Sequence, residues 1–320
     1  MSLGDFQVFN EFGYKAFVNT IQQKIDLWNG ATSNALMLES MAFSGDVFEK
    51  AAFENLSSLV GDRDPSSTSA NTEHALSELL QIEVKMAWGM PNVSYTNTSF
   101  DWTKRDPREA GTLFGNAIAE GAMQYMLNNL IGSAVAAIAD GAHGTVVYDG
   151  TAATASPETL NQASGLFGDR RNAITCWIMH SKSQTDIFGY ALANSNDLFD
   201  YAGVRVLTDG HGRPLIETDS DALHFDNAGT ENYIQLGLVA GGATVKEQGD
   251  MRSYQVTDLS GVNAKELLKS EGSFGIGLKG YTWDKNVTKP TSAAVRTPAN
   301  WSPITGVGLK DTAGVKSITL

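Results

Sequence analysis

Three stretches of this chain gather residue types capable of chemistry. The first is His180-Ser181, an imidazole beside a hydroxyl, which distant aspartates could complete as a hydrolytic triad. No GxSxG elbow presents the serine. Ser181 instead falls where a helix needs a capping oxygen, which accounts for it without catalysis. For His180 the expectation is a strand-end histidine making one hydrogen bond. The second stretch is acidic: Glu217, Asp219, Asp221, His224 and Asp226, near Asp209 and His211. A calcium loop sets oxygen ligands at alternate positions followed by glycine, and Leu223 takes the place of the third ligand. A solvated acidic loop is expected, with a loose surface cation site as the alternative. The third stretch, Gly275-Ile276-Gly277-Leu278-Lys279-Gly280, matches the glycine spacing of a dinucleotide-binding turn. Such a turn must open a helix, whereas Tyr281-Thr282-Trp283 favours a strand, so the spacing predicts a glycine-bearing strand. HExxH and the P-loop are absent. Asn55, Asn92, Asn97 and Asn286 fit the glycosylation sequon, but with no secretory signal in view they are expected to be chance matches. The sequence therefore assigns no catalytic, cofactor-binding or metal-binding residue.

The elements around these stretches carry more information. Tyr14, Phe17, Val18, Ile21, Ile25 and Trp28 recur on one helical face, and Asn29-Gly30 supplies a stop. Residues 47–60 suit a short helix or a strand, and residues 61–71 form a polar loop. Ile82, Val84, Met86 and Trp88 alternate with Glu83, Lys85, Ala87 and Gly89, the period of a strand with one wet face. Residues 45–104 thus suggest a long two-stranded excursion, which is marginal in water without a second surface.

Asp106-Pro107-Arg108-Glu109 then places a cap, a proline at the first helical position and an acid in the first turn. From there the pattern predicts a helix to residue 140, closed by Gly141. Gly111, Gly115, Gly121 and Gly132 each cost about 1 kcal/mol relative to alanine, so packing must hold this helix.

Residues 151–260 suggest a mixed α/β unit. It has a helix from Ser156-Pro157-Glu158, a buried strand over 174–179 and a helix over 180–194. That last helix would be capped by Ser183 and Asp186, with Ile187, Phe188, Ala191 and Leu192 inward. Short strands follow at 204–207, 233–239 and 253–256. Residues 261–320 suggest an all-β tail, in which Phe274, Ile276 and Leu278 alternate with Gly275, Gly277 and Lys279.

Composition narrows the class. The formal charge is −13, from 36 acidic and 23 basic residues, the wrong sign for a fold built to grip phosphate. Cys176 is the only cysteine, which excludes an intrachain disulfide and a CxxC zinc site, and a reducing cytoplasm is the expected place of synthesis. No apolar run of about 18 residues suggests a spanning helix. Neither a basic start nor an apolar block marks residues 1–12 as a signal peptide.

This order of parts resembles the major capsid proteins of tailed bacteriophages, the Hong Kong 97-type fold. The resemblance is carried by GDRDPSSTSANTEHALSELLQIEVKMAW, KRDPREAGTLFGNAIAEGAMQYMLNNLIGSAVAAI, CWIMHSKSQTDIFGYAL, DYAGVRVLTDG and KDTAGVKSITL, which together span about residues 45–320. It implies an α+β fold with four parts: an N-terminal arm, 1–44; an extended β-hairpin loop, 45–104; a peripheral domain, 105–149 and 261–320, with a spine helix over 107–140; and an α/β axial domain, 150–260.

The implied function is self-assembly into pentamers and hexamers that form an icosahedral head shell around double-stranded DNA, without enzymatic activity, membrane contact or sequence-specific DNA binding. The implied localisation is the virion capsid, assembled in the host cytoplasm. About 44 residues precede the extended loop, too few for the built-in scaffold that some relatives carry. Scaffolding would then be a separate protein or absent, with a portal and decoration proteins as further expected partners. Some relatives cross-link a lysine to an asparagine; Lys50 and Lys85 lie in or near the loop, but nothing identifies their partner. Two alternatives stand beside this reading: an encapsulin-like nanocompartment shell, and a soluble α/β hydrolase or metal enzyme using His180, His211 and the acidic loop.

Overall fold

The computed structural model describes residues 3–41, 45–53, 62, 65–68, 78–96, 107–138, 146–193, 209, 211–261, 263–288, 290–304 and 307–320. Helix α1 (Leu3–Ala31) contains the predicted face and extends beyond it in both directions. Phe17 and Ile21 are buried, and Val18, Ile25 and Trp28 are partly covered, whereas Tyr14 is exposed. The partner that periodicity could not name is the long helix α2 (Pro107–Ala137). At about 1.5 Å per residue, α2 is a rod of roughly 45 Å. Its expected cap Asp106 and its expected stop at 140–141 lie outside the described residues.

The glycines of α2 have distinct uses. A Cβ on Gly115 would lie 2.8 Å from the carbonyl carbon and 2.9 Å from the Cα of Gly13 on α1, so the two backbones touch there. Thr20 donates to the Asn116 side chain at 2.8 Å along the same seam. The C-terminal half of α2 is enclosed on nearly every side, from Asn129 through Ala134. The stop expected at Asn29-Gly30 does not hold: the Asn29 side-chain amide exchanges hydrogen bonds of 2.8 and 3.0 Å with the Leu38 backbone, and the helix runs on to Ala31.

Two sheets flank α2. The first holds seven strands among the described residues: β1 (Leu36–Ser40), β2 (Val47–Phe53), β3 (Glu78–Gly89), β4 (Val93–Thr96), β10 (Ala243–Glu247), β11 (Arg252–Asp258) and β12 (Lys265–Leu278). Its path is β1-β10-β12-β3-β2, and β11 and β4 flank the far end of β12. The pair β2–β3 is the expected two-stranded excursion, and the surface it needed is β12, some 190 residues further along the chain. Ile82, Val84 and Met86 are buried as the alternation predicts, and so, against it, is Glu83. Residues 47–53 form a strand.

The second sheet holds β5 (Val147–Gly150), β6 (Ile174–Met179), β7 (Leu215–Glu217), β8 (His224–Asn227), β9 (Thr230–Val239) and β15 (Gly314–Thr319), on the path β5-β15-β9-β6-β7 with β8 beside β9. Helix α3 (Pro157–Gly165) starts with the reciprocal Ser156–Thr159 capping box. Helix α4 (Ser181–Ala193) departs from expectation. Ser183 is fully buried and accepts from Gln235 at 2.9 Å, so it is not the cap, and Phe188 faces solvent. The tail also contains a single helical turn, α5 (Ser292–Val295), in the connection between the two strands of a ribbon, β13 (Tyr281–Trp283) and β14 (Trp301–Pro303). The strand expected at 204–207 lies outside the described residues. Sheet membership crosses the sequence boundaries: β10 and β11 come from the 150–260 stretch but join the first sheet, and β15 comes from the tail but joins the second.

Candidate functional site

The suspected triad residues do meet. His180 ends β6, its Nδ1 lies 3.4 Å from Ser181 Oγ, and its Nε2 lies 3.5 Å from the Asp219 carboxylate. The proton bookkeeping argues against a nucleophile. His180 Nδ1 accepts the Lys182 backbone N–H at 3.2 Å, so the lone pair that a general base would use is capping α4. The cap is therefore His180, with Ser181 the first helical residue. The Ser181 hydroxyl, and then its amide, interact with Asp219 and draw that carboxyl below its usual range. Asp219 is largely exposed, so nothing excludes water from the array.

The acidic stretch divides into structural parts. Asp209 is buried and accepts from the Trp177 indole at 3.1 Å and from the His211 and Arg213 amides at 2.9 Å each, which fixes a turn. Asp226 accepts from Gly229 in the β8–β9 hairpin. His224 packs its ring against His180 and Tyr233, while Glu217 ends β7 and Asp221 lies in a short turn capped by Ser220. His211 sits at the surface, 2.5 Å from the Arg171 guanidinium. Among the described residues, no three His, Cys, Asp or Glu side chains are grouped to hold a metal ion.

The glycine motif is a strand, as expected, and Gly280 turns it into β13 with φ +79°. Its glycines also have a use that spacing could not disclose. On the strands flanking β12, Glu83 and Lys246 form an ion pair of 2.6 Å that is almost wholly buried. Lys246 is opposite Gly275, and a Cβ on Gly277 would strike the Glu83 carboxyl carbon at 2.7 Å. The ion pair therefore crosses β12 through space that side chains would otherwise fill. Lys246 also lies 4.6 Å from the centre of the Phe48 ring on β2. A lone charge at this depth would be prohibitive, so each partner makes the other tolerable and together they tie β2, β3 and β10 across the sheet.

An open groove of about 690 Å³ lies between Trp88, the start of β11 and the middle of β12, where Arg252 and Lys269 are accompanied by Asp250 and Glu271. Large apolar side chains remain exposed on projecting or edge elements: Leu80 on β3, Val93 on β4, Leu113 on α2, and Tyr254, Val256 and Leu259 on or just after β11.

Comparison with known proteins places this architecture. Residues 5–316 match the family described as Gp13-like, major capsid protein 13-like. The fold is similar to that of the cyanophage Pam1 capsid asymmetric unit, with 12% identity and a TM-score of 0.56 over 89% of this chain and 88% of that one. The capsid structure of Helicobacter pylori bacteriophage KHP30 shows 14% identity and a TM-score of 0.49, over 91% and 89% of the respective chains. No curated protein matches the sequence. The Pam1 likeness speaks for the fold, an α+β Hong Kong 97-type capsid architecture with α2 as its long helix. The family match, spanning nearly the whole chain, speaks for the role: this protein belongs to the Gp13-like family of tailed-phage major capsid proteins, a structural component of the virion head shell and not an enzyme.

Proposed function

We propose that copies of this chain associate as pentamers and hexamers that close into an icosahedral shell around double-stranded DNA. In this reading α1, α2 and the seven-stranded sheet form the peripheral domain, with α2 as its spine. The six-stranded sheet with α3 and α4 forms the axial domain at the ring centres. The hairpin rooted in β2 and β3 is the extended loop that lies over an adjacent copy. A scaffolding protein, a portal and decoration proteins belong to the same proposal, as does the absence of catalytic, cofactor or metal residues.

One observation carries the reading. Exposed large apolar side chains occur on helices and strands alike, and the most open of them lie on and just after β11, where Val256 is 60% and Leu259 75% accessible, while the core between the elements is well filled. Such residues gain most when other copies cover them. The charge of −13 per chain suits a container, because an acidic lining does not clamp the duplex. Negative-stain microscopy of the purified chain tests the proposal. Closed shells or five- and sixfold rings are expected; a chain that stays monomeric across the whole concentration range imaged would refute it.

A further inference from the structure

The outer edge of β11 has no strand paired to it among the described residues. The edge is seven residues long, about 23 Å; it holds no proline, and Tyr254 and Val256 project from its outer face between Arg252 and Asp258. An open edge of this length is a template for another strand whose charges match its own.

The sequence of the edge indicates which strand. Residues 251–259 are Met-Arg-Ser-Tyr-Gln-Val-Thr-Asp-Leu. Laid antiparallel against itself about Gln255, the segment sets Met251 opposite Leu259, Arg252 opposite Asp258, Ser253 opposite Thr257 and Tyr254 opposite Val256. Apolar meets apolar, hydroxyl meets hydroxyl and cation meets anion at every step. The register also preserves backbone parity, because each residue faces one of the same odd or even set; whichever alternate amides point outward therefore find partners.

The inner face is already committed within the chain. Thr257 donates to Glu266 at 2.7 Å, and Ser253 and Gln255 contact Ser270 and Glu266 at 3.4 Å. The outer face carries the exposed apolar side chains, Tyr254 and Val256. Asp258, held by the Ser260 amide and by Lys265 at 3.1 Å, stays ionised and ready to meet a second cation.

We propose that β11 pairs antiparallel with β11 of a second copy across a two-fold axis through Gln255, joining two seven-stranded sheets into one. This rests on the shell reading and specifies one of its contacts. Copies within a ring are related by five- or sixfold rotation, so an isologous contact of this kind joins one ring to the next.

Site-directed cross-linking on the assembled protein tests it. Gln255→Cys places two thiols opposite each other at the axis, within reach of a disulfide. Mild oxidation of shells should convert most of the chain to covalent dimer. Wild-type shells should give none, because Cys176 is buried. Ser253→Cys alone should also give none, since its two copies would lie about 13 Å apart, whereas Ser253→Cys with Thr257→Cys should restore the dimer. That double variant carries the same test should Gln255→Cys not fold. Shells in which neither Gln255→Cys nor the double variant cross-links overturn the pairing and leave the shell reading standing. A wild-type chain that forms neither shells nor rings overturns both.

Discussion

Replacing Gly115 by alanine is the sharpest test of the packing argument, because propensity and packing predict opposite signs. As a helix-interior residue, alanine gains about 1 kcal/mol over glycine. At Gly115 the added methyl would sit 2.8 Å from the Gly13 carbonyl carbon and 2.9 Å from its Cα, where carbon atoms require about 3.5 Å or more. Both obstacles are backbone, so no side chain can swing aside. The helices must separate by roughly 0.7 Å or more, which loosens Phe17 and Ile21 from the core they share with α2. Overpacking of this kind costs about 1–3 kcal/mol; set against the helix gain of about 1 kcal/mol, a net loss of up to about 2 kcal/mol is expected. Gly121 on the same helix is the internal control. Nothing lies within 4 Å of its added Cβ, so Gly121→Ala should gain about 0.5–1 kcal/mol. Urea unfolding of the unassembled subunit, followed by tryptophan fluorescence, reads both variants. A Gly115→Ala midpoint equal to or above that of Gly121→Ala would mean that the α1–α2 crossing is not the close backbone contact described.

Two further predictions concern the interior. Lys246→Met leaves Glu83 buried without its partner and should cost about 3–5 kcal/mol, whereas Glu83→Met combined with Lys246→Met should recover most of that loss; strictly additive costs in the double-mutant cycle would show that the two charges do not depend on each other. Burial pushes the Cys176 thiol up to about 12, so at pH 8 it should react with a thiol reagent only as the chain unfolds, at a rate that rises with denaturant; immediate stoichiometric labelling of the native protein would contradict its place in the second sheet.

Local pattern revealed elements and their faces more readily than their partners. The helical face through Phe17 and Ile21 and the strand face through Val84 and Met86 follow from the period of apolar residues, which depends only on local geometry. Glu83 escaped because its burial depends on Lys246, 163 positions away, and on glycines in a third strand. Phe188 was assigned inward on helical period, yet α4 turns it toward solvent, where periodicity alone cannot tell an inner face from an assembly face. The His180 cap was missed because an imidazole nitrogen rarely serves where Ser, Thr, Asp or Asn would. The near-palindromic chemistry of residues 251–259 was present in the sequence but had no meaning until β11 was placed at an edge.

The position of β15 has a consequence for synthesis. Residues 314–319 insert between β5 and β9, in the interior of the second sheet, and Leu320 donates to Ala153 beside it. While these residues are still inside the ribosome, the edges of β5 and β9 that they will join remain unmatched. A chain that lacks these residues therefore leaves the second sheet divided, with β5 separated from β9. Closing that sheet is thus a long-range step, in which residues 314–319 enter between strands that precede them by about 75 to 170 positions.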